Sequence, residues 1–382
     1  MTSPRKILLC VSGMSPAIIT ETLYALVTQI PPFIPDEIHV STTQEGCDKI
    51  LKVLLPPVEG QFHRLMADYL PGRAIRFDHT TLHVITQEGA ESVALKDIVT
   101  EADNRVAGDS IYRLMRQLKD ECPTQLHVSI AGGRKSMSFY AGHAFSLIAD
   151  QQDKLSHVLV NEPFDNPSLG FYFPPATPVE LIGNNRGQEL RAHTSEATVM
   201  LAELSVLRLG PLFANNWPPK ARASFDFAVT LAQDTLVPPV MDIWIDEKYR
   251  GRLRVSGQEI ELLPQQFMVF AVYALARKHA DALPNSGLFS VLDLPNDFWI
   301  DISNDLAGKE ILRNSGVMNG DVIRSKINAE LKSHIGPVAT HFRIESIGGR
   351  RLNNKPAAIN TSADSFNIDL PPRWLSLLQG FL

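Results

Sequence analysis

The sequence predicts an α/β fold: a parallel sheet with helices on both faces, followed by a helical segment and a smaller α+β domain. Three observations support this prediction. Apolar runs alternate with helical patterns through residues 1–182, glycine turns follow two of those runs, and residues 241–382 contain short strand patterns instead. Strand–helix alternation is typical of parallel sheets, and closely spaced short strands are typical of antiparallel ones.

The bulk properties predict two domains in a cytoplasmic protein. A chain of 382 residues, 44% of them hydrophobic, exceeds what one core usually supports. We expect a first domain at 1–182, a helical linker or dimerisation segment at 183–240 and a second domain at 241–382. The three cysteines lack paired or metal-type spacing, and no run is apolar enough to span a membrane. We therefore expect no metal, cofactor or membrane contact.

The net charge of −6 argues against bulk attraction to nucleic acid, although it leaves room for a local basic pocket. Within the first domain the apolar runs predict strands and the periodic segments predict helices. In order, we expect a strand at 6–11, a helix from 16, a strand at 37–41, a helix from 44, a helix at 97–119, a strand at 126–130, a helix from 135 and a strand at 157–161.

The remaining segments differ in texture. Residues 163–192 are rich in Pro, Gly and Asn and predict an irregular exit from the first domain, with helices at 194–209 and 218–234. For the second domain we expect strands at 242–247 and 252–262, helices at 264–278 and 321–333, and a strand at 342–347.

Two turns carry the chemistry of the first domain. The segments VSGMSP (11–16) and IAGGRKSM (130–137) each place glycine at a strand end and then begin a helix. Free N–H groups at a helix N-terminus favour phosphate, and Arg134 and Lys135 add positive charge to one of the two turns. Ligands of such sheets bind beyond the carboxyl ends of the strands. The two turns therefore predict an anion pocket.

Other nucleotide-binding motifs do not fit. A P-loop that ends at Lys135 would need glycine where Arg134 and Ser129 stand, and Gly13 is not followed by the remaining glycines of the dinucleotide motif. A single Gly-Gly turn is common in α/β folds, so the prediction depends on both turns together.

At these residues the chain resembles the CRISPR-associated Rossmann-fold (CARF) proteins, and within them the ring nucleases and related type III CRISPR accessory proteins. The resemblance rests on SGMSPAIITETLYAL (12–26), SIAGGRKSMSFYAG (129–142) and LSHVLVNEPF (155–164). It implies a Rossmann-like sheet and a homodimer that binds cyclic oligoadenylate across its two-fold axis. Cyclic tetra-adenylate is favoured over the hexa-adenylate ring.

The resemblance also implies a chemistry: metal-independent cleavage of the ring by attack of a ribose 2′-OH, which gives linear products that end in a 2′,3′-cyclic phosphate. By motif position Ser12 and Lys135 are the expected catalytic residues. Lys135 would stabilise charge on the phosphorane, and Ser12 would orient the ribose or a phosphate oxygen. The ligand contacts are expected from Gly13, Met14, Ser15, Thr42, Thr43, Gly132, Gly133, Arg134, Ser136 and Met137.

The second domain resembles a winged helix. On that resemblance 321–333 would be a recognition helix and 341–352 a wing, with DNA contacts from Arg324, Lys326, Arg350 and Arg351. Three functions stay open: a ring nuclease, a DNA-binding regulator gated by cyclic oligoadenylate without ring cleavage, and a ribonuclease effector. The last would need an Arg-x4–6-His motif on a helix, and the one candidate, Arg76 with His83, lies in strand-like sequence.

Overall fold

The central sheet forms because its strands are apolar on both faces. In the computed structural model, which describes residues 4–87, 93–185, 187–213, 217–306, 320–347 and 356–382, the residues from Ile7 to Val11 are completely buried. The strands of this part of the chain are β1 (Arg5–Val11), β2 (Glu37–Thr42), β3 (Leu82–Val84), β4 (Thr86–Gln87), β5 (Val93–Ala94), β6 (Thr124–Ser129), β7 (Lys154–Val160), β8 (Glu180–Asn185), β9 (Gln188–His193) and β10 (Val199–Glu203).

Six of these strands form one sheet in the order β10-β7-β6-β1-β2-β3. All neighbours are parallel except β10, which pairs antiparallel with β7. The helices are α1 (Ala17–Thr28), α2 (Gln44–Val53), α3 (Gln61–Tyr69), α4 (Glu101–Asp120), α5 (Lys135–Ile148) and α6 (Gly210–Phe213). Helix α1 packs against α3, and α4 packs against α5. Right-handed crossovers place these two pairs on opposite faces, which confirms the predicted fold class.

The chain divides into two compact units, Met1–Ala214 with Ala223–Phe225, and Asn215–Arg222 with Asp226–Leu382. The helix predicted at 194–209 is wrong, because this segment contributes β10 to the central sheet. Val199 and Leu201 pack against two apolar clusters of the first unit, so the apolar residues follow a period of two rather than a helical period. The first unit thus extends beyond the predicted boundary at 182, and 183–203 is not a helical linker.

The second unit contains a small sheet covered by a buried helix. Its strands β11 (Met241–Ile245), β12 (Gly251–Val255), β13 (Gln258–Ile260) and β16 (Phe366–Asp369) lie in the order β13-β12-β11-β16, and β14 (Ile344–Ser346) pairs with β15 (Ala357–Ile359). All residues of α9 (Pro264–Lys278) from Gln266 to Ala276 are buried. The other helices are α7 (Pro219–Ala223), α8 (Phe225–Leu236), α10 (Asn296–Ser303), α11 (Gly320–Ile335) and α12 (Arg373–Phe381).

The predicted recognition helix exists as α11, but it does not present the expected basic face. Arg324 is only 7% exposed and pairs with Asp321, so the DNA contact predicted for it is not available in this structure. Arg324 lies beside Ile323 and Ile327, which are buried in the core, and its side chain is buried on the same face of the helix. Lys326 is exposed, whereas Arg350 and Arg351 lie outside the described residues.

No described helix has the length and apolar character needed to cross a membrane.

A buried histidine of the central sheet is expected to make the stability of the first unit depend on pH. His127 on β6 is almost fully buried, with its Nε2 2.7 Å from the Ser156 Oγ and its Nδ1 without a partner among the described atoms. Burial lowers the pKa of His127 to about 4.

We predict that His127 makes the first unit less stable in mild acid. A histidine whose pKa is lowered by folding must stay neutral in the folded state, so its contribution is present above the unfolded pKa of about 6.5 and is lost as the pH falls toward 4. Between pH 7 and pH 5 this amounts to about 2 kcal/mol. Denaturant unfolding of the wild type and of His127→Leu at both values measures it.

The leucine variant is the control, because it keeps every other titrating group. Its free energy of unfolding should fall by about 2 kcal/mol less between pH 7 and pH 5 than that of the wild type. Equal pH dependence in the two proteins would contradict the assignment.

Candidate functional site

Three strand ends meet at one edge of the central sheet, because β2, β1 and β6 are adjacent and parallel. The segments at these strand ends are 12–15, 42–43 and 131–136, which we call the strand-end edge. It contains all of the predicted ligand-binding residues of the first unit except Met137, which is the next residue on α5. The structure therefore brings these predicted residues to one edge of the sheet.

The turn at 12–15, which we call the middle turn, packs closely against the turn at 131–136 on one side and against the start of α2 on the other. A Cβ atom at Gly13 would lie 3.1 Å from the Gly133 Cα, and a Cβ at Gly132 would lie 2.9 Å from the Val11 carbonyl oxygen. On the other side, a Cβ at Gly46 would lie 2.7 Å from the Gly13 carbonyl oxygen. Gly133 also has a φ of +80°, a conformation that favours glycine. Glycine is thus required here for close packing.

The hydroxyl groups of the edge are turned inward. Ser12 is completely buried, and its Oγ donates to the Ser15 carbonyl oxygen at 3.4 Å. Thr43 caps α2 by accepting a hydrogen bond from the Gly46 N–H, and Thr42 is completely buried with no partner for its Oγ1 among the described atoms. The direct contact predicted between Ser12 and the ligand is therefore not available in this chain conformation, and Ser12 supports the turn.

The cations of the edge have different partners. Arg134, the N-cap residue of α5, forms two hydrogen bonds with the Asp97 carboxylate, which lowers the pKa of Asp97. Lys135, the first residue of α5, is exposed and has no side-chain partner within the described part of the chain. The positive charge of Arg134 is thus largely compensated, whereas that of Lys135 is available to a ligand.

The two methionines at the edge differ in access. Met14 is 52% exposed, whereas Met137 is completely buried. A Cβ at Gly133 would lie 2.9 Å from the Met137 Sδ, so this side chain fills the space beneath the turn. Of the two methionines predicted to contact the ligand, the structure makes only Met14 accessible.

Sequence reasoning missed three residues that complete the edge. Lys49 on α2 donates from its Nζ to the Met14 carbonyl oxygen at 2.6 Å, and the Ser138 Oγ donates to the Ile130 carbonyl oxygen at 2.9 Å. Phe139 lies one helical turn after Lys135 and is 63% exposed. The spacing from Lys135 could have identified Phe139, but Lys49 is 35 positions from its partner and leaves no local signal.

The arrangement can bind an anion with an attached planar group. The N-terminus of α5 supplies free N–H groups, Lys135 supplies a charge, and Met14 and Phe139 supply exposed apolar surface. Among the described residues no three His, Cys, Asp or Glu side chains are grouped so that they could hold a metal ion.

Gly46→Ala should destabilise the first unit, because the added methyl would meet the Thr42 Oγ1 and the Gly13 carbonyl oxygen. The threonine can rotate, but the carbonyl belongs to the packed middle turn. We expect a loss of about 1–3 kcal/mol in the free energy of unfolding, measured by denaturant titration.

Gly142→Ala is the matched control, since Gly142 also lies in a helix of this unit and its Cβ would meet only the Leu155 Cδ2 at 3.8 Å. That change should be neutral or stabilising by up to about 1 kcal/mol. Equal stability of the two variants would show that the middle turn is not tightly packed.

Comparison with known proteins gives the chain a family. No curated protein matches it significantly. Among solved structures it is similar to Enterococcus italicus Csm6 bound to cyclic hexa-2'-fluoro-hexa-dAMP, with 9% sequence identity and a TM-score of 0.24. The match covers 41% of this chain and 34% of the Csm6 chain, so the chain spans about a third of that protein. The model of the CRISPR-associated protein NE0113 family matches residues 15–233, more than half of the sequence, and the chain therefore belongs to this CRISPR-associated family.

Proposed function

We propose that the strand-end edge binds a cyclic oligoadenylate, with cyclic tetra-adenylate favoured over the hexa-adenylate ring. The observation that carries the proposal is Lys135 at the N-terminus of α5, which is exposed, has no partner among the described side chains and lies next to the packed glycine turns. A phosphate there would meet a positive charge and free N–H groups together. The CRISPR-associated family supplies a context in which such a ligand is expected, and the motifs of the turns resemble those of CARF proteins.

The symmetry of the ligand suggests a homodimer. A ring of identical nucleotides presents equivalent phosphates around an axis, and two copies of this chain related by a two-fold axis would present two Lys135 residues to it. The exposed Phe139 and Met14 would then lie beside the adenines. We propose that one ring binds across two copies of the edge.

Cleavage of the ring is the second part of the proposal. A ribose 2′-OH held in line with the adjacent phosphorus loses its proton and attacks the phosphorus, the bond to the 5′-oxygen breaks, that oxygen takes up a proton to become a hydroxyl, and a 2′,3′-cyclic phosphate remains. Lys135 would stabilise the charge on the phosphorane oxygens, and no metal is needed for this step. Because the Ser12 hydroxyl is buried, its contribution would be to hold the turn in place through Ser15.

The alternative function, a DNA-binding regulator that acts through the second unit, has less support than ring binding. A recognition surface needs exposed basic groups, and on α11 the Arg324 guanidinium is buried against Asp321. Of the predicted DNA contacts that the structure describes, Lys326 is exposed and Arg324 is not, and one lysine would neutralise few phosphates.

Lys135→Ala should weaken binding of cyclic tetra-adenylate by at least about tenfold, because a charge-assisted contact to phosphate is lost. Isothermal titration calorimetry measures the affinity, and mass spectrometry of long incubations in EDTA follows the ring. Wild type should yield linear products with a 2′,3′-cyclic phosphate, and the variant should leave the ring intact.

Lys52→Ala is the control, since Lys52 is an exposed lysine in the last turn of α2. It should retain wild-type binding and cleavage. Failure of the wild type to bind either ring would refute the proposal, whereas binding without any cleavage would refute only its second part.

Asp97→Asn should strengthen ring binding a few-fold, because the charge of Arg134 would no longer be compensated by its carboxylate partner. The gain should diminish as salt is raised, since both groups are exposed to solvent. Titrations at low and high ionic strength measure it. Asp120→Asn removes another arginine-paired carboxylate, near the opposite end of the strands, and should change nothing. Equal or weaker binding in Asp97→Asn would mean that Arg134 does not face the ligand.

A further inference from the structure

A second concave site lies in the first unit, away from the strand-end edge. It is a cavity of about 580 Å³ between α3 and the segments that contain Gly170 and Thr194. None of the strand-end residues lines it. Cavities of this size are typical of small-molecule sites.

The walls of this cavity are held together by hydrogen bonds. The Tyr69 hydroxyl on α3 donates to the Pro174 carbonyl oxygen at 2.7 Å, and the Ala176 N–H donates to the Asp68 Oδ2 at 2.9 Å. Phe171 and Phe173 are buried in two different apolar clusters on either side of the half-buried Tyr172. The wall is therefore fixed before any ligand arrives, which lowers the entropic cost of binding.

A charged group in the lining, Arg64, has no partner among the residues that the structure describes. Arg64 is exposed, and its guanidinium makes no ion pair or hydrogen bond to any described residue. Asp68 lies one helical turn later on α3, and its Oδ2 accepts a hydrogen bond from the Ala176 N–H rather than from Arg64. The cavity thus presents an unpaired cation and a separate acceptor, with the aromatic Tyr172 in the same lining.

We propose that this cavity binds a nucleoside monophosphate or a ligand of the same chemistry: a planar aromatic group with donors, joined to one anion. A phosphate matches the planar, multi-donor guanidinium of Arg64, an aromatic base matches Tyr172, and an amino group on that base matches the Asp68 carboxylate. The volume of about 580 Å³ accommodates such a molecule. This site is independent of the ring-binding proposal and does not require it.

Adenosine 5′-monophosphate is the probe, titrated calorimetrically into the full chain alongside adenosine and ribose 5-phosphate. The monophosphate should bind more tightly than either fragment, because only it carries both an anion for Arg64 and an aromatic base for Tyr172. Arg64→Ala should weaken its binding by at least about tenfold. Ala67→Phe, which fills the cavity from an exposed position of α3, should abolish it.

Arg73→Ala is the matched control, since Arg73 is an exposed arginine just after α3 that does not line the cavity. It should bind the monophosphate as the wild type does. The proposal is overturned if the wild type does not bind the monophosphate or if Arg64→Ala and Ala67→Phe both bind it normally. Loss of binding in Lys135→Ala, with Arg64→Ala unaffected, would instead locate the nucleotide at the strand-end edge.

Discussion

The candidate site depends on the contact between two glycine turns. Gly13 and Gly133 approach so closely that a Cβ on the first would lie 3.1 Å from the Cα of the second. A side chain at position 13 would require the Gly133 backbone to move by a few tenths of an ångström. The contact sets how far the start of α5 lies from the start of α1, and with it the position of Lys135. Gly46 and the Lys49 Nζ secure the same turn from the side of α2.

The strand-end edge carries few positive charges, and one of them is paired with a carboxylate. The chain carries a net charge of −6, so it does not attract nucleic acid in bulk. Arg134 shares its charge with Asp97, and both are exposed, which makes the pair weak and responsive to salt. Lys135 has no such partner in the described chain. A ligand with few phosphates at fixed spacing suits this pattern better than a long polyanion does.

Much of this arrangement could be predicted from sequence, because its signals are local. The strand at 6–11, the helix at 264–278 and the glycine turns follow from apolar runs, Pro264 and Gly132-Gly133. Other features depend on contacts distant in sequence. The Arg134–Asp97 pair, whose members are 37 positions apart, has no local signature. The sequence of β10 predicts a helix, and only the pairing of this segment with β7 shows that it is a strand.

The same distinction between local and long-range information applies to the residues of the site. Sequence identified which residues lie at the edge but not which of them are accessible. Ser12 and Met137 belong to the turn motifs but are buried, whereas Phe139, one helical turn after Lys135, is exposed. A motif reports that a turn is chemically unusual, and packing decides which of its side chains reach a ligand.

A crystal structure of the protein with cyclic tetra-adenylate would show directly where the ring binds. We expect a phosphate at the N-terminus of α5 within hydrogen-bonding distance of the Lys135 Nζ, with the ring spanning two copies of the chain. A ring bound away from residues 131–136, or one that leaves Lys135 in solvent, would contradict this expectation.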